Sequence, residues 1–219
     1  METRLQLDKQ LSDLYQDILK MGALVEEALN KSIEALRKDD SELADSVVSG
    51  DDAIDRLHMD IEDRSTQIIA LEQPVATDLR ELITATKIGA DLERIGDHAR
   101  HIARVVRTLP AELLAVALPI IEEMAKVGIS MVHDSLTAFV DQDPDRARTV
   151  ATRDDEIDAA HERLYRSLVD VMRDRPEWIE HGVKLMLLNR YLERLGDHVT
   201  NICEWVIFAK SGEHVELNK

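Results

Sequence analysis

The chain has a single cysteine, Cys203, so it cannot close a disulfide within itself. That excludes the small secreted scaffolds held together by bridges and fits a reducing compartment. Cys203 lies in an apolar helical run and reads as a small buried hydrophobe rather than a reactive thiol. Aromatic residues are only 3% of the sequence, so Leu, Ile, Val, Ala and Met must build the core. Basic residues are also scarce: 27 Lys and Arg stand against 44 Asp and Glu, a net charge of −17. A nucleic-acid backbone would be repelled by such a surface, which excludes it as a partner. Metal ions and basic protein surfaces are the complementary classes. No stretch is apolar enough to span a bilayer, and the opening residues Met1 to Asp8 lack the apolar centre of a secretory signal. The cytoplasm is the expected location. No Gly-rich phosphate loop, Ser-His-Asp set or cysteine nucleophile context occurs, so an enzyme is not expected.

What is present is the composition of packed helices. Apolar residues are 44% of 219, with Glu, Arg, Lys and Ala abundant. No segment alternates with period two, which points to an all-α fold. Breakers divide the chain into six long segments. They stand at Lys38-Asp39-Asp40-Ser41, at Gln73-Pro74, at Thr108-Leu109-Pro110, at Asp141-Gln142-Asp143-Pro144 and at Asp174-Arg175-Pro176, with Gly212 ending the last segment. Pro119 is expected to kink or restart the fourth helix.

The chain also repeats itself. Asp51-Asp52-Ala53-Ile54-Asp55 is echoed by Asp154-Asp155-Glu156-Ile157-Asp158, and His58 by His161, at an offset of 103. Leu92-Glu93-Arg94-Ile95-Gly96-Asp97-His98 is echoed by Leu192-Glu193-Arg194-Leu195-Gly196-Asp197-His198 at an offset of 100. The expected architecture is two similar antiparallel three-helix bundles, 1–108 and 109–219, joined by duplication.

Within this frame the acidic residues recur in pairs. In the third helix Ile88, Leu92, Ile95, Ala99, Ile102 and Val106 form a packing stripe at spacings of three and four. At about 100° per residue, Glu93 and Asp97 lie about 140–180° from its centre. Leu188, Leu192, Leu195, Val199, Ile202 and Val206 repeat the stripe in the sixth helix, with Glu193 and Asp197 opposite. Asp51 and Asp55, and likewise Asp154 and Asp158, lie across from the apolar stripes of the second and fifth helices. Two carboxylates at i,i+4 repel each other by a few tenths of a kcal/mol. Four such pairs in matching places suit divalent or ferric cations, which want convergent oxygens, better than simple solvation. His58, His161, His98 and His198 border these pairs and read as boundary residues before ligands. Gly96 and Gly196, unfavourable inside helices, indicate close approach of a neighbouring helix.

These runs resemble the PhoU family. Similar to its pattern are Gln73-Pro74-Val75-Ala76-Thr77-Asp78-Leu79-Arg80, the two Leu-Glu-Arg-x-Gly-Asp-His runs, Thr200-Asn201-Ile202, and the ending Glu204-Trp205-Val206-Ile207-Phe208 with Ser211-Gly212-Glu213. The resemblance covers nearly the whole chain. It implies two three-helix bundles with metal sites on Asp51, Asp55, Glu93 and Asp97 in the first half, and on Asp154, Asp158, Glu193 and Asp197 in the second. The ions it implies are iron, zinc or other divalent metals. It also implies a negative regulator of the phosphate-starvation response, linking a phosphate import transporter to a sensor histidine kinase. Symmetry is not strict, since Arg104 stands where the second half has Glu204, and His101 where it has Asn201.

Two further expectations concern packing and the competing chemistry. Leu79, Leu82, Ile83, Thr86 and Ala90 form a second apolar side on the third helix, suited to a bundle–bundle contact or to a homodimer. The alternative function is a di-metal carboxylate oxidase or a metal-storage protein, which would use Asp55-x-x-His58 and Asp158-x-x-His161 in a helical core.

Overall fold

A computed structural model describes residues 2–106 and 108–218, with side chains from residue 5 onward. The helices are α1 (Glu2–Lys38), α2 (Ser41–Glu72), α3 (Ala76–Val105), α4 (Ala111–Val140), α5 (Pro144–Ala151), α6 (Asp154–Asp174) and α7 (Ile179–Ser211). A 3-10 turn, Pro176–Trp178, leads into α7, and the described residues include no strand.

The joints follow from local chemistry. Asp40 caps α2 by accepting the Leu43 N–H at 3.0 Å. Asp143 accepts the N–H groups of Asp145 and Arg146, with Pro144 opening α5, where its missing N–H costs nothing. Gly212 closes α7 in the left-handed region at φ 75°, its N–H bonding to Phe208 O at 2.8 Å.

Two details sharpen the sequence reading. Pro119 lies inside α4 without restarting it. Leu113, Ala117 and Ile121 are fully buried on both sides of it and hold one register through the lost hydrogen bond. The fifth segment is two helices, α5 and α6, broken at Thr152 and Arg153. Arg153 reaches back to Ser130 Oγ at 3.1 Å and to Asp134 Oδ2 at 3.2 Å on α4, so a tertiary contact holds the break. The first half has no such break, and α2 runs straight through Gly50.

α1, α2 and α3 pack on one another, as do α4, α6 and α7 with α5 against them. The halves meet where α3 lies on α7 and α1 on α4. The expected stripes of α3 and α7 are buried throughout, as are Ile54, Leu57, Ile61 and Ile68 of α2 and Ile157, Leu164 and Leu168 of α6. At roughly 1.5–3 kcal/mol for each fully buried aliphatic side chain, these stripes dominate the stability. All belong to one apolar cluster that continues from the first half into the second. The second apolar side of α3 is only partly covered, with Leu79, Ile83, Thr86 and Ala90 half-buried. Leu82 is fully buried there. Beside it, Thr84 Oγ1 donates to Trp205 O at 3.4 Å, and Arg80 Nε to Ala209 O at 3.3 Å.

Candidate metal centre

Apart from Asp158, the paired carboxylates do not stand out into solvent. They line two seams, one between α2 and α3 and the other between α6 and α7. A bundle helix has neighbours on two sides, so the arc opposite its main stripe is still partly covered. Asp51 is 4% exposed. Asp55, Glu93 and Asp97 are half-buried beside it, as are Asp154, Glu193 and Asp197 in the second half, and Asp158 is exposed. Among the described residues no three His, Cys, Asp or Glu side chains stand close enough to hold an ion as placed. An ion in either seam would therefore have to draw its carboxylates inward.

In the α2–α3 seam the decisive residue is Arg100, one turn beyond Asp97. Its guanidinium donates to Asp51 Oδ2 across the seam and to Asp97 Oδ1 on its own helix. Arg94 adds a bond to Asp97 Oδ2 at 3.2 Å and lies 3.3 Å from Glu93 Oε2. Burial raises the Asp51 carboxyl, and Arg100 pulls it back. Glu93 is raised by burial and by the charge of Asp97.

The α6–α7 seam has a different balance. Thr200, fully buried, stands where the first half has Arg100. The cation in contact is Arg190, which is largely exposed and pairs with Glu193 from the surface. Asp154 Oδ1 and Glu193 Oε2 are buried without a hydrogen-bond partner. Burial, then the charges of Asp158, Asp197, Glu193 and Asp155, push Asp154 from 3.8 up to about 7. Its place in the first turn of α6 favours an anion by only about 0.3–1 kcal/mol, too little to offset four neighbouring carboxylates. Asp158 and Glu193 are raised too, each by burial first and by Asp197 second.

Gly196 explains how Asp154 comes so close to α7. A Cβ there would overlap Asp154 Oδ1, with the carboxyl carbon only 3.1 Å away. At Gly96 the nearest atoms are those of Ile54, at 3.0 Å, and Asp51 Oδ1 stands off at 3.7 Å. Both glycines thus admit a neighbouring helix, but only Gly196 has a carboxylate lodged against it.

The four boundary histidines separate into two groups. The charges of His58 and His161 act on Glu93 and on Asp158 and Glu193, which places them beside the acidic seams. His98 and His198 face each other between the halves, ring centroids 5.5 Å apart. His198 Nδ1 lies 2.9 Å from Asp91 Oδ1. His98 is 5% exposed and stacks on Tyr191, with neither ring nitrogen bonded. Burial, with the charges of His198 and Arg194 next, lowers it from 6.5 to about 3. Cys203 is fully buried and its thiol is pushed up to about 12, so it packs as an inert hydrophobe.

The sequence of the two seams has known counterparts. The signature described as the PhoU domain matches residues 18–106 and again 121–206. The chain belongs to the PhoU family. It is 36% identical over 217 residues to the phosphate-specific transport system accessory protein PhoU homolog of Clostridium acetobutylicum, covering 99% of each chain. To the Aquifex aeolicus protein of the same description it is 38% identical over 212 residues, covering 97% of this chain and 96% of that one. The crystal structure of the phosphate transport system regulatory protein PhoU from Streptococcus pneumoniae superposes with a TM-score of 0.89 at 33% identity, over 96% of this chain and 99% of that one. PhoU from Pseudomonas aeruginosa gives 0.86 at 34% identity, over 94% and 99%.

The metal implied by the PhoU resemblance can be weighed against the side chains present. The α6–α7 seam fits: four carboxylates gather there, two buried oxygens lack a partner, and no buried cation stands among them. The α2–α3 seam has the same four acids but is bridged by Arg100, a side chain the symmetric reading of the carboxylate pairs overlooked.

Proposed function

We propose that this PhoU-family protein is a regulatory accessory of phosphate transport, acting by docking rather than by catalysis. The observation that carries the reading is the near full-length likeness to proteins described as phosphate-specific transport system accessory proteins. The finer reading is a negative regulator of the phosphate-starvation response, bridging the cytoplasmic parts of a phosphate importer and a sensor histidine kinase. No helix among the described residues is long and apolar enough to cross a membrane, in keeping with work at the cytoplasmic face of one. The acidic body suits a basic partner surface, with association that slows as salt rises.

Metal belongs to the same proposal. Iron or zinc held by Asp154, Asp158, Glu193 and Asp197, and by Asp51, Asp55, Glu93 and Asp97 where their seam admits it, would supply positive charge that screens the acidic seams. The chain's own residues present the oxygens and, through Gly196, the close approach of Asp154. Ile179, Val183 and Leu187 leave an exposed apolar row on α7, which supports a homodimer.

Deleting the gene tests the regulatory reading. Phosphate-starvation genes should then switch on in phosphate-rich medium and fall silent when the wild-type gene is restored. Continued repression in the deletion strain, with no second copy of the gene present, would rule the reading out.

A further inference from the structure

The two halves offer the same four acids in matching places, but they treat them differently. In the α2–α3 seam a guanidinium already sits between facing carboxylates, one contributed by each helix. Arg is charged at every accessible pH, and its planar fork can serve two carboxylates at once. Asp51, the most buried of the eight, takes its hydrogen bond from that fork. A metal ion entering this seam would have to displace Arg100 from both partners and then lie beside a second positive charge.

In the α6–α7 seam the matching position is Thr200, which is neutral, short and buried. It cannot reach the acids, and Asp154 Oδ1 and Glu193 Oε2 keep unbonded lone pairs. Arg190 reaches Glu193 from the solvent side and is itself largely exposed, so it can swing away into water and leave the Glu193 oxygens to an ion. The seams therefore differ in whether positive charge is supplied from within the chain.

Resting on the metal reading above, we propose that Arg100 is a built-in cation that takes the metal's place in the first half, so that this protein takes up metal only in its α6–α7 seam. One face is then permanently neutralised in part, and the other changes charge with the metal supply. The duplicated fold becomes one fixed surface and one responsive surface.

The test is elemental analysis of untagged full-length protein dialysed against zinc sulfate or ferrous ammonium sulfate, with folding followed by circular dichroism. Glu193→Gln with Asp197→Asn should abolish bound metal, and Glu93→Gln with Asp97→Asn should leave it unchanged. Arg100→Thr should gain metal, roughly doubling the bound equivalents as a second four-carboxylate set becomes free. Because Arg100→Thr uncovers buried Asp51 and can lose stability, Thr200→Arg provides a second arm: a guanidinium installed in the α6–α7 seam should expel its metal. Loss of about half the metal on changing Glu93 and Asp97 would overturn the proposal while leaving metal binding itself intact. Wild-type protein that binds neither zinc nor iron would overturn the metal reading and this proposal together.

Discussion

At the scale of single residues, two groups titrate in ways that expose their surroundings. Asp154 holds its proton in the folded chain up to about 7, against 3.8 ordinarily. The folded state thus keeps a proton that the unfolded state has released, and stability falls as pH climbs from about 4 to about 7. In chelator-treated protein, Asp154→Asn should remove that fall. At pH 8 the variant should be more stable by about 1–2 kcal/mol, a value discounted because the carboxyl keeps access to solvent. Thermal melts at pH 4, 6 and 8 would check this, and parallel curves for the two proteins would contradict it. His98 works in the opposite sense. Its folded value, about 3, lies below the ordinary 6.5, so the unfolded chain gains a proton first as pH falls. Stability is full above 6.5 and should decline below it by about 1.4 kcal/mol per pH unit. His98→Leu should flatten denaturant midpoints between pH 7 and pH 5. An unchanged slope would mean that His98 accepts a proton in place.

Among the elements, the joints were legible in the sequence because Asp40, Asp143, Pro144 and Gly212 act on their own neighbouring backbone. The break between α5 and α6 was not. Thr152 and Arg153 have no breaker chemistry, and what holds the turn is the reach of Arg153 to α4. The acid pairs were legible as i,i+4 spacings, but their burial was not, since it depends on which helix covers the far arc. The Arg100/Thr200 difference stands in plain view beside the echoed runs. Its meaning appears only when Asp51, 49 positions earlier, lies within the reach of Arg100. A glycine gives the sharpest test of helix spacing. At Gly128 on α4, a Cβ would crowd the fully buried Leu195 of α7, 3.1 Å from its Cγ. Gly128→Ala improves helix propensity by about 1 kcal/mol, but overpacking costs about 1–3 kcal/mol. The expected result is a lower urea midpoint with helix content unchanged. A raised midpoint would show that α4 and α7 separate easily.

For the whole molecule, the continuous core predicts that the two bundles do not melt apart. Both tryptophans, Trp178 and Trp205, lie in the second half, so their fluorescence reports on that half, whereas far-ultraviolet circular dichroism reads all the helices. The two signals should share one urea midpoint, as a two-state chain requires, and separate midpoints would show independent halves. The duplication visible in the sequence suggests two self-sufficient units. The α3–α7 seam ties those units together, because Thr84 and Arg80 of one half bond to the Trp205 and Ala209 carbonyls of the other and His98 packs beside His198. That seam has a genetic corollary. A reading frame stopped between the repeats would not yield half a regulator. It would yield a chain with one side of α3 bare, recognised by the cell's proteases as damaged, so nonsense alleles near the middle of the gene should be as severe as a full deletion.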